Sequence, residues 1–142
     1  MQNLVGEYRH KLDTKGRLSL PSAFRKALSK DLIVTLSPDG ACLYAFEAEG
    51  FGEWVGSLFA HDGGFDSGNK AHVRARKVLN SRAKSVEIDG SGRIGIPAQQ
   101  RQDAVLEKDV VLIGDADHFE IWDAKRWDEF SSSVDLESIF TN

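Results

Sequence analysis

Two short stretches of the chain alternate apolar and small residues, the spacing of a strand with one buried face. They are Leu18-Ser19-Leu20 and Ile94-Gly95-Ile96. Each follows a turn containing a glycine, Gly16 or Gly92, which can adopt a positive φ without steric cost. Each precedes a proline, Pro21 or Pro97, the residue best tolerated at the first position of a helix. The pattern predicts a strand, a turn, a second strand and a short helix, twice.

These two stretches belong to an internal duplication. Residues 12–21 align without a gap with residues 88–97, at an offset of 76, and the Asp, Gly, Arg and Pro of the two copies are identical. Two later blocks recur in the same order, 31–34 with 109–112 and 43–47 with 119–123. Each unit is too small to close a core alone, so we expect the two copies to pack together.

Other segments complete the predicted elements. In copy one, strands over 32–36 and 43–46 are joined by the turn residues 37–40, Ser-Pro-Asp-Gly. Between the copies a helix is predicted from Lys70, and its apolar face comprises Ala71, Ala75, Val78 and Leu79. The helix of copy two is weaker than that of copy one, with Gln99 and Gln100 at its centre. The acidic tail is expected to fray beyond Val134.

The elements together predict a mainly β fold with short α-helices, in the α+β class. The expected units are a first repeat over 1–54, a helical connector over 55–84, a second repeat over 85–130 and an acidic C-terminal tail over 131–142.

Charge is distributed unevenly along the chain. The formal net charge is −4, which by itself argues against nucleic acid. However, residues 8–30 hold seven basic residues against Asp13 alone, residues 70–84 hold six basic residues and no acid, and residues 85–142 hold thirteen acids against five basic residues. Such segregation creates local fields that the net charge hides. Solvated helix and hairpin faces explain the same pattern equally well.

Composition narrows the class of protein further. Hydrophobic residues make up 41% of the chain, which is typical of a globular protein, and no run approaches eighteen apolar residues. The single cysteine, Cys42, excludes a disulfide framework and is expected to be a small buried hydrophobe. The first residues lack the layout of a signal peptide, so a reducing compartment such as a bacterial cytoplasm is expected.

The candidate chemistry lies in the two turns, which read Asp13-x-x-x-Arg17 and Asp89-x-x-x-Arg93. The aspartate can accept backbone N–H bonds and fix the loop. The arginine can project as a planar bidentate donor suited to a phosphate or a guanine edge. The alternative is a purely local Asp–Arg pair that stiffens the turn.

The remaining motifs give little evidence about function. Residues 90–95 match the dinucleotide fingerprint G-x-G-x-x-G, but they are predicted to enter a strand rather than a helix, and copy one lacks two of the glycines. The four histidines show no metal-ligand spacing, and no base is placed beside a nucleophile. We therefore expect neither an enzyme, nor a cofactor, nor a small-molecule substrate.

With both hairpins in view, the sequence resembles the MraZ family, a relative of the AbrB-type swapped-hairpin DNA-binding proteins. The resemblance runs from about Leu4 to Phe130 and is carried by residues 12–21, 86–89 with Gly92-Arg93, 110–114 and 119–122. It implies a pseudo-dimeric swapped-hairpin AbrB-like β-barrel within one chain, assembled into a ring-shaped homo-oligomer. It also implies a cytoplasmic, nucleoid-associated transcriptional regulator that binds short direct repeats of double-stranded DNA upstream of its own operon, in the division and cell-wall gene cluster.

The family's DNA-contact motif maps onto the two turns, and Lys15 lies inside the first of them. The candidate DNA-binding residues are Arg9, Lys11, Asp13, Lys15, Arg17, Asp89 and Arg93. One departure is that the second turn has Gly90-Ser91 where a more polar or basic pair is expected, which predicts a weaker grip by copy two. A different class of function stays open, an antitoxin-like or protein-interaction module in which DNA binding is secondary.

Overall fold

A computed structural model describes residues 3–141, and over that range the fold is α+β, as predicted. The strands are β1 (Glu7–Lys11), β2 (Arg17–Ser19), β3 (Asp31–Leu36), β4 (Leu43–Glu47), β5 (Lys84–Glu87), β6 (Arg93–Gly95), β7 (Asp109–Asp115) and β8 (His118–Asp123). The helices are α1 (Ser22–Ala27), α2 (Ala48–Ser57), α3 (Lys70–Arg82), α4 (Ala98–Asp103), α5 (Ala124–Ser133) and α6 (Leu136–Phe140), with one 3₁₀ turn at Ala60–Asp62.

Strand pairing exchanges the hairpins between the two copies. β1 of copy one pairs with β7 of copy two, and β5 of copy two pairs with β3 of copy one, both antiparallel. The six-stranded sheet has the order β1-β7-β8-β4-β3-β5, which is unchanged when the copies are interchanged and the order is read backwards. β2 and β6 pair with each other in a separate two-stranded ribbon. The chain is thus a swapped-hairpin pseudo-dimer.

The hydrogen-bonded sheet does not close into the barrel that the resemblance implies. Among the described residues, β1 and β5 are its edge strands and each pairs with one neighbour. The chain leaves these strands through tight turns at Gly16 and Gly92, where φ is +76° in both. The strands that follow these turns pair with each other instead of with the sheet edges. The result is an open sheet with a short ribbon beside it.

The ribbon contributes to the main core. Leu18 and Ile94 face each other in its central pair, and neither has any exposed surface. Phe24 of α1 packs beside them, with its ring centroid 5.2 Å from those of Tyr8 and Phe119. The alternating positions of the sequence therefore face inward as predicted, and the intervening residues of the ribbon face outward.

The helix of copy two buries a glutamine that bonds outside its own copy. Gln100 is buried, and its side-chain amide donates hydrogen bonds to the carbonyl oxygens of Val34 at 2.8 Å and Arg82 at 3.3 Å.

Pro21 and Pro97 stand at the N-cap of α1 and α4, one residue before the position predicted for them.

Of the four residues predicted for the apolar face of α3, only Leu79 packs against the core. Ala71 and Ala75 are exposed, and Val78 is 46% exposed. The helix instead buries His72, whose imidazole bonds to the Asp62 carboxylate at 2.9 Å and to the Asp66 backbone N–H at 3.1 Å. This anchoring rotates the basic helix so that its alanine-rich side faces outward.

The expectation of a frayed tail is wrong for the described part of the tail. α6 follows α5 directly, and the Asp135 carboxylate caps it by accepting a hydrogen bond from the Ser138 N–H at 3.3 Å. Its apolar side chains are nevertheless exposed, Ile139 by 58% and Phe140 by 78%. In the described range, no helix combines the length and apolar character needed to cross a bilayer.

Replacing Phe24 with alanine should destabilise the protein by about 3–5 kcal/mol, because the cavity lies where α1 meets both copies. The free energy of unfolding in urea measures this. Val5→Ala is the control, since Val5 is 64% exposed, and it should change the free energy by less than about 0.5 kcal/mol. Equal losses in the two variants would contradict the assigned core.

Candidate nucleic-acid interface

The first turn is organised around one carboxylate. Asp13 Oδ1 accepts hydrogen bonds from the backbone N–H groups of Lys15 at 2.9 Å and Arg17 at 2.8 Å. Its Oδ2 accepts from Arg17 Nε at 2.7 Å. These bonds, the one from the Arg17 N–H above all, lower the pKa of Asp13 from 3.8 to about 2. The aspartate therefore fixes both the loop and the arginine side chain.

The second turn repeats this arrangement. Asp89 Oδ1 accepts from the N–H groups of Ser91 at 2.9 Å and Arg93 at 3.0 Å, and Oδ2 accepts from Arg93 Nε at 3.2 Å. The same bonds, led by the one from the Arg93 N–H, lower the pKa of Asp89. Both turns are preorganised in one geometry despite their different sequences at the tip.

The two interpretations of the Asp–Arg motif, an external contact to DNA and a local pair that stiffens the turn, are compatible in this geometry. The local pair uses only Nε of each guanidinium. Within residues 3–141, the Nη groups of Arg17 and Arg93 make no hydrogen bond, although both side chains are about one-third exposed, at 37% and 31%. An aspartate that orients one edge of the guanidinium leaves the other edge free for an external acceptor.

The ribbon places both arginines on one outward face. Its pairs set Arg17 opposite Gly95 and Arg93 opposite Ser19, while Leu18 and Ile94 between them point to the core. Each arginine thus lies across from a small residue, which leaves the space above it open. Because the strands are antiparallel, the two turns lie at opposite ends of the ribbon.

Two further arginines, absent from the predicted site, lie against the turns. Arg101 of α4 contacts the first turn at Gly16, and Arg25 of α1 contacts the second turn at Gly92. Each therefore approaches the turn of the other copy. A signal was present in the sequence, because Arg25 and Arg101 are themselves 76 residues apart, but only the swap shows which turn each reaches.

Arg9 and Lys11 lie apart from the turn tips, on the exposed side of β1. Arg9 pairs with Asp128 of α5 at 2.7 Å and with Glu7 at 3.0 Å, and these bonds, the one to Asp128 first, raise the pKa of Arg9. Lys11 pairs more loosely with Asp109 at 3.4 Å. The structure therefore brings together Asp13, Lys15 and Arg17 on one turn and Asp89 and Arg93 on the other, whereas Arg9 and Lys11 are balanced by acids.

Comparison with known proteins identifies the family of the chain. A family described as "MraZ protein, putative antitoxin-like" matches residues 4–55 and 79–142. The chain belongs to the MraZ family. Proteins named "Transcriptional regulator MraZ" include one from Limosilactobacillus fermentum, 39% identical over 136 residues (92% of this chain, 87% of that protein), and one from Lachnoclostridium phytofermentans, 37% identical over 127 residues (89% and 86%).

A third relative of the same name, from Lactiplantibacillus plantarum, is 37% identical over 129 residues, 91% of this chain and 88% of that protein. MraZ proteins are transcriptional regulators and not enzymes, which agrees with the sequence prediction for this chain. The segment between the two matched ranges contains the end of α2 and most of α3, so the match covers both hairpins and both turns.

The low pKa of Asp13 gives a pH prediction for the turn. A carboxyl whose pKa is lowered by folding stabilises the fold fully above its ordinary pKa, and that contribution is lost as the pH falls through the lowered value. The backbone amide resonances of Lys15 and Arg17 should therefore shift with a midpoint near pH 2, the value to which the Asp13 pKa is lowered. NMR titration measures this, and Asp13→Asn should abolish the transition. A midpoint at 3.8, the ordinary value, would show that the carboxylate does not hold the turn.

Proposed function

We propose that this regulator binds DNA sequence-specifically through its two Asp-x-x-x-Arg turns, displayed repeatedly on a ring-shaped homo-oligomer. Its sites would be short direct repeats upstream of its own operon, in the division and cell-wall gene cluster. The observation that carries the proposal is the ribbon, which presents Arg17 and Arg93 on one outward face with their Nη edges free. Bound there, the protein would be nucleoid-associated.

The shape of the ribbon supports this reading. The major groove of B-DNA admits a two-stranded ribbon, and arginine is the commonest side chain to read guanine through two hydrogen bonds. Asp13 and Asp89 act by positioning, because their oxygens are already occupied by the turn. Lys15, exposed at the tip of the first turn, is placed for a phosphate. Since the second turn has Ser91 there, copy one would contact the backbone more strongly.

Arg9 and Lys11 have a smaller part in this proposal. Their charges are paired with acids of the same chain, so a DNA phosphate would have to displace Asp128 or Asp109 to bind them. Exposed ion pairs are weak enough for that exchange. We expect these two residues to contribute to the local field more than to a fixed contact.

Removing either turn arginine should weaken operator binding. We expect Arg17→Ala and Arg93→Ala to cost about 1–3 kcal/mol per lost base contact, with Arg17→Ala the more severe. Gel-shift titrations at several salt concentrations, on DNA from just upstream of the gene, measure this, and footprinting locates the repeats. Lys125→Ala, an exposed cation of α5, is the charge-matched control. Unchanged binding in both arginine variants would refute the proposal.

Two exposed apolar faces support self-association. α3 presents Ala71, Ala75 and Val78 on a basic helix, and the C-terminal segment presents Ile139 and Phe140 among acids. Faces of opposite charge on one chain suit a head-to-tail contact, which closes into a ring when the rotation permits. Several weak DNA sites on one assembly would then act together.

The opposite charges of α3 and the C-terminal segment predict how a substitution in α3 changes the assembly. Val78→Glu, which places an acid on the apolar side of α3, should reduce the mass measured by light scattering to that of smaller species. Val5→Glu, a substitution at another exposed valine, should leave the mass unchanged. If Val78→Glu also leaves it unchanged, α3 is not part of the contact.

A protein-binding role is the second candidate, because the matching family carries the words "antitoxin-like" in its description. It predicts a stoichiometric protein partner and no retarded DNA. Copurification together with the gel shifts above separates the two functions.

A further inference from the structure

Each turn is covered by an arginine of the opposite copy. A Cβ placed on Gly16 would lie 2.5 Å from Cζ of Arg101, and one placed on Gly92 would lie 2.5 Å from an Nη atom of Arg25. These distances are shorter than real Cβ contacts, so any side chain at either position would push the guanidinium aside. The positive φ already favours glycine at both turns, and its lack of a side chain lets the arginine lie directly over the turn.

The backbone connects the same elements. The Ile96 N–H donates to the Gly16 carbonyl, and the Leu20 N–H donates to the Gly92 carbonyl, both at 3.0 Å. Each turn therefore leads into the strand of its own copy. Its glycine carbonyl bonds to the other copy, at the residue that follows β2 or β6 and precedes α1 or α4. These bonds hold each turn beside the start of the opposite helix, which carries the arginine.

We propose that Arg25 and Arg101 are additional DNA-phosphate contacts, and that each binding site is composite, built from the turn of one copy and the helix of the other. One site comprises Lys15, Arg17 and Arg101, and the other comprises Arg93 and Arg25. This rests on the proposed DNA-binding function and extends it to residues outside the motif.

The state of Arg25 supports a ligand of this class. Arg25 is exposed and, among the described residues, its guanidinium donates to no carboxylate or carbonyl. It lies against the turn whose arginine already has its Nε bound by Asp89. With one carboxylate for two guanidinium groups, this turn keeps a net positive charge, and a phosphate bound there can accept hydrogen bonds from arginine.

Arg101 differs in one respect. Its Nε donates to the Ile96 carbonyl at 3.1 Å, so it also braces the end of β6. Arg25 makes no equivalent bond and is the better residue to test. Because Arg101 adds the same cation to the first site that Arg25 adds to the second, the first site keeps one more cation, Lys15.

The test uses the full-length protein and two duplexes, the operator and a scrambled sequence of equal length. Arg25→Gln should weaken binding to both by the same factor, roughly tenfold, the effect of losing one charged hydrogen bond. It should lower the salt slope by about 0.9 per phosphate released. Arg25→Lys should restore most of the affinity and the slope, because it keeps the charge. Lys125→Gln, at an exposed cation of α5, is the control.

A double-mutant cycle tests the swap itself. Although Arg25 is closer in sequence to Arg17, the composite site predicts that Arg25→Gln couples with Arg93→Gln and is additive with Arg17→Gln. Coupling with Arg17 instead, or an unchanged salt slope, would overturn the inference. Failure of Arg25→Lys to restore binding would indicate a structural brace and would also overturn it.

Thermal unfolding of each variant separates lost binding from lost folding. If Arg17→Ala weakens binding and Arg25→Gln does not, the composite site is wrong and the proposed function stands. If neither Arg17→Ala nor Arg93→Ala weakens binding, the composite site and the proposed function are both wrong.

Discussion

The pairing of β2 with β6 is the contact on which the rest of the structure depends. Its central pair, Leu18 and Ile94, carries one residue from each copy into the core with no exposed surface. Because neither strand pairs with the larger sheet, each requires the other copy to satisfy its backbone groups. On either side of this ribbon, β1 pairs with β7 and β5 with β3, which interlocks the copies.

The same pairing organises the surface. Side chains alternate along a strand, so burying Leu18 and Ile94 forces their neighbours outward. Arg17 and Arg93 therefore face solvent together, each opposite a small residue. The aspartate of each turn then fixes the arginine through Nε and leaves the Nη edge free. The register of β2 and β6 therefore buries Leu18 and Ile94 and, at the same time, exposes the guanidinium groups of Arg17 and Arg93.

The duplication also explains where the two copies differ. Gln100 replaces an apolar position of α1, and it remains buried because it bonds to a carbonyl of β3 in the other copy. The acidic half of the chain does not lie far from the basic half, since Asp128 pairs with Arg9. The charge segregation seen along the sequence is therefore partly cancelled in space, whereas the turns with Arg25 and Arg101 and the basic helix α3 keep an excess of positive charge.

The sequence by itself determined the repeat, the two turns, the alternating strands and the Asp–Arg pairs, because each depends on neighbours within a few residues. It also sufficed to indicate the family. Only the tertiary structure decided which face of α3 is buried, since His72 packs against the ring of Phe59 and bonds to Asp62. It likewise decided that the sheet stays open, and that Arg25 and Arg101 lie over the opposite turns. The open sheet and the positions of Arg25 and Arg101 depend on contacts between residues far apart in the chain, whose pairing no local pattern specifies.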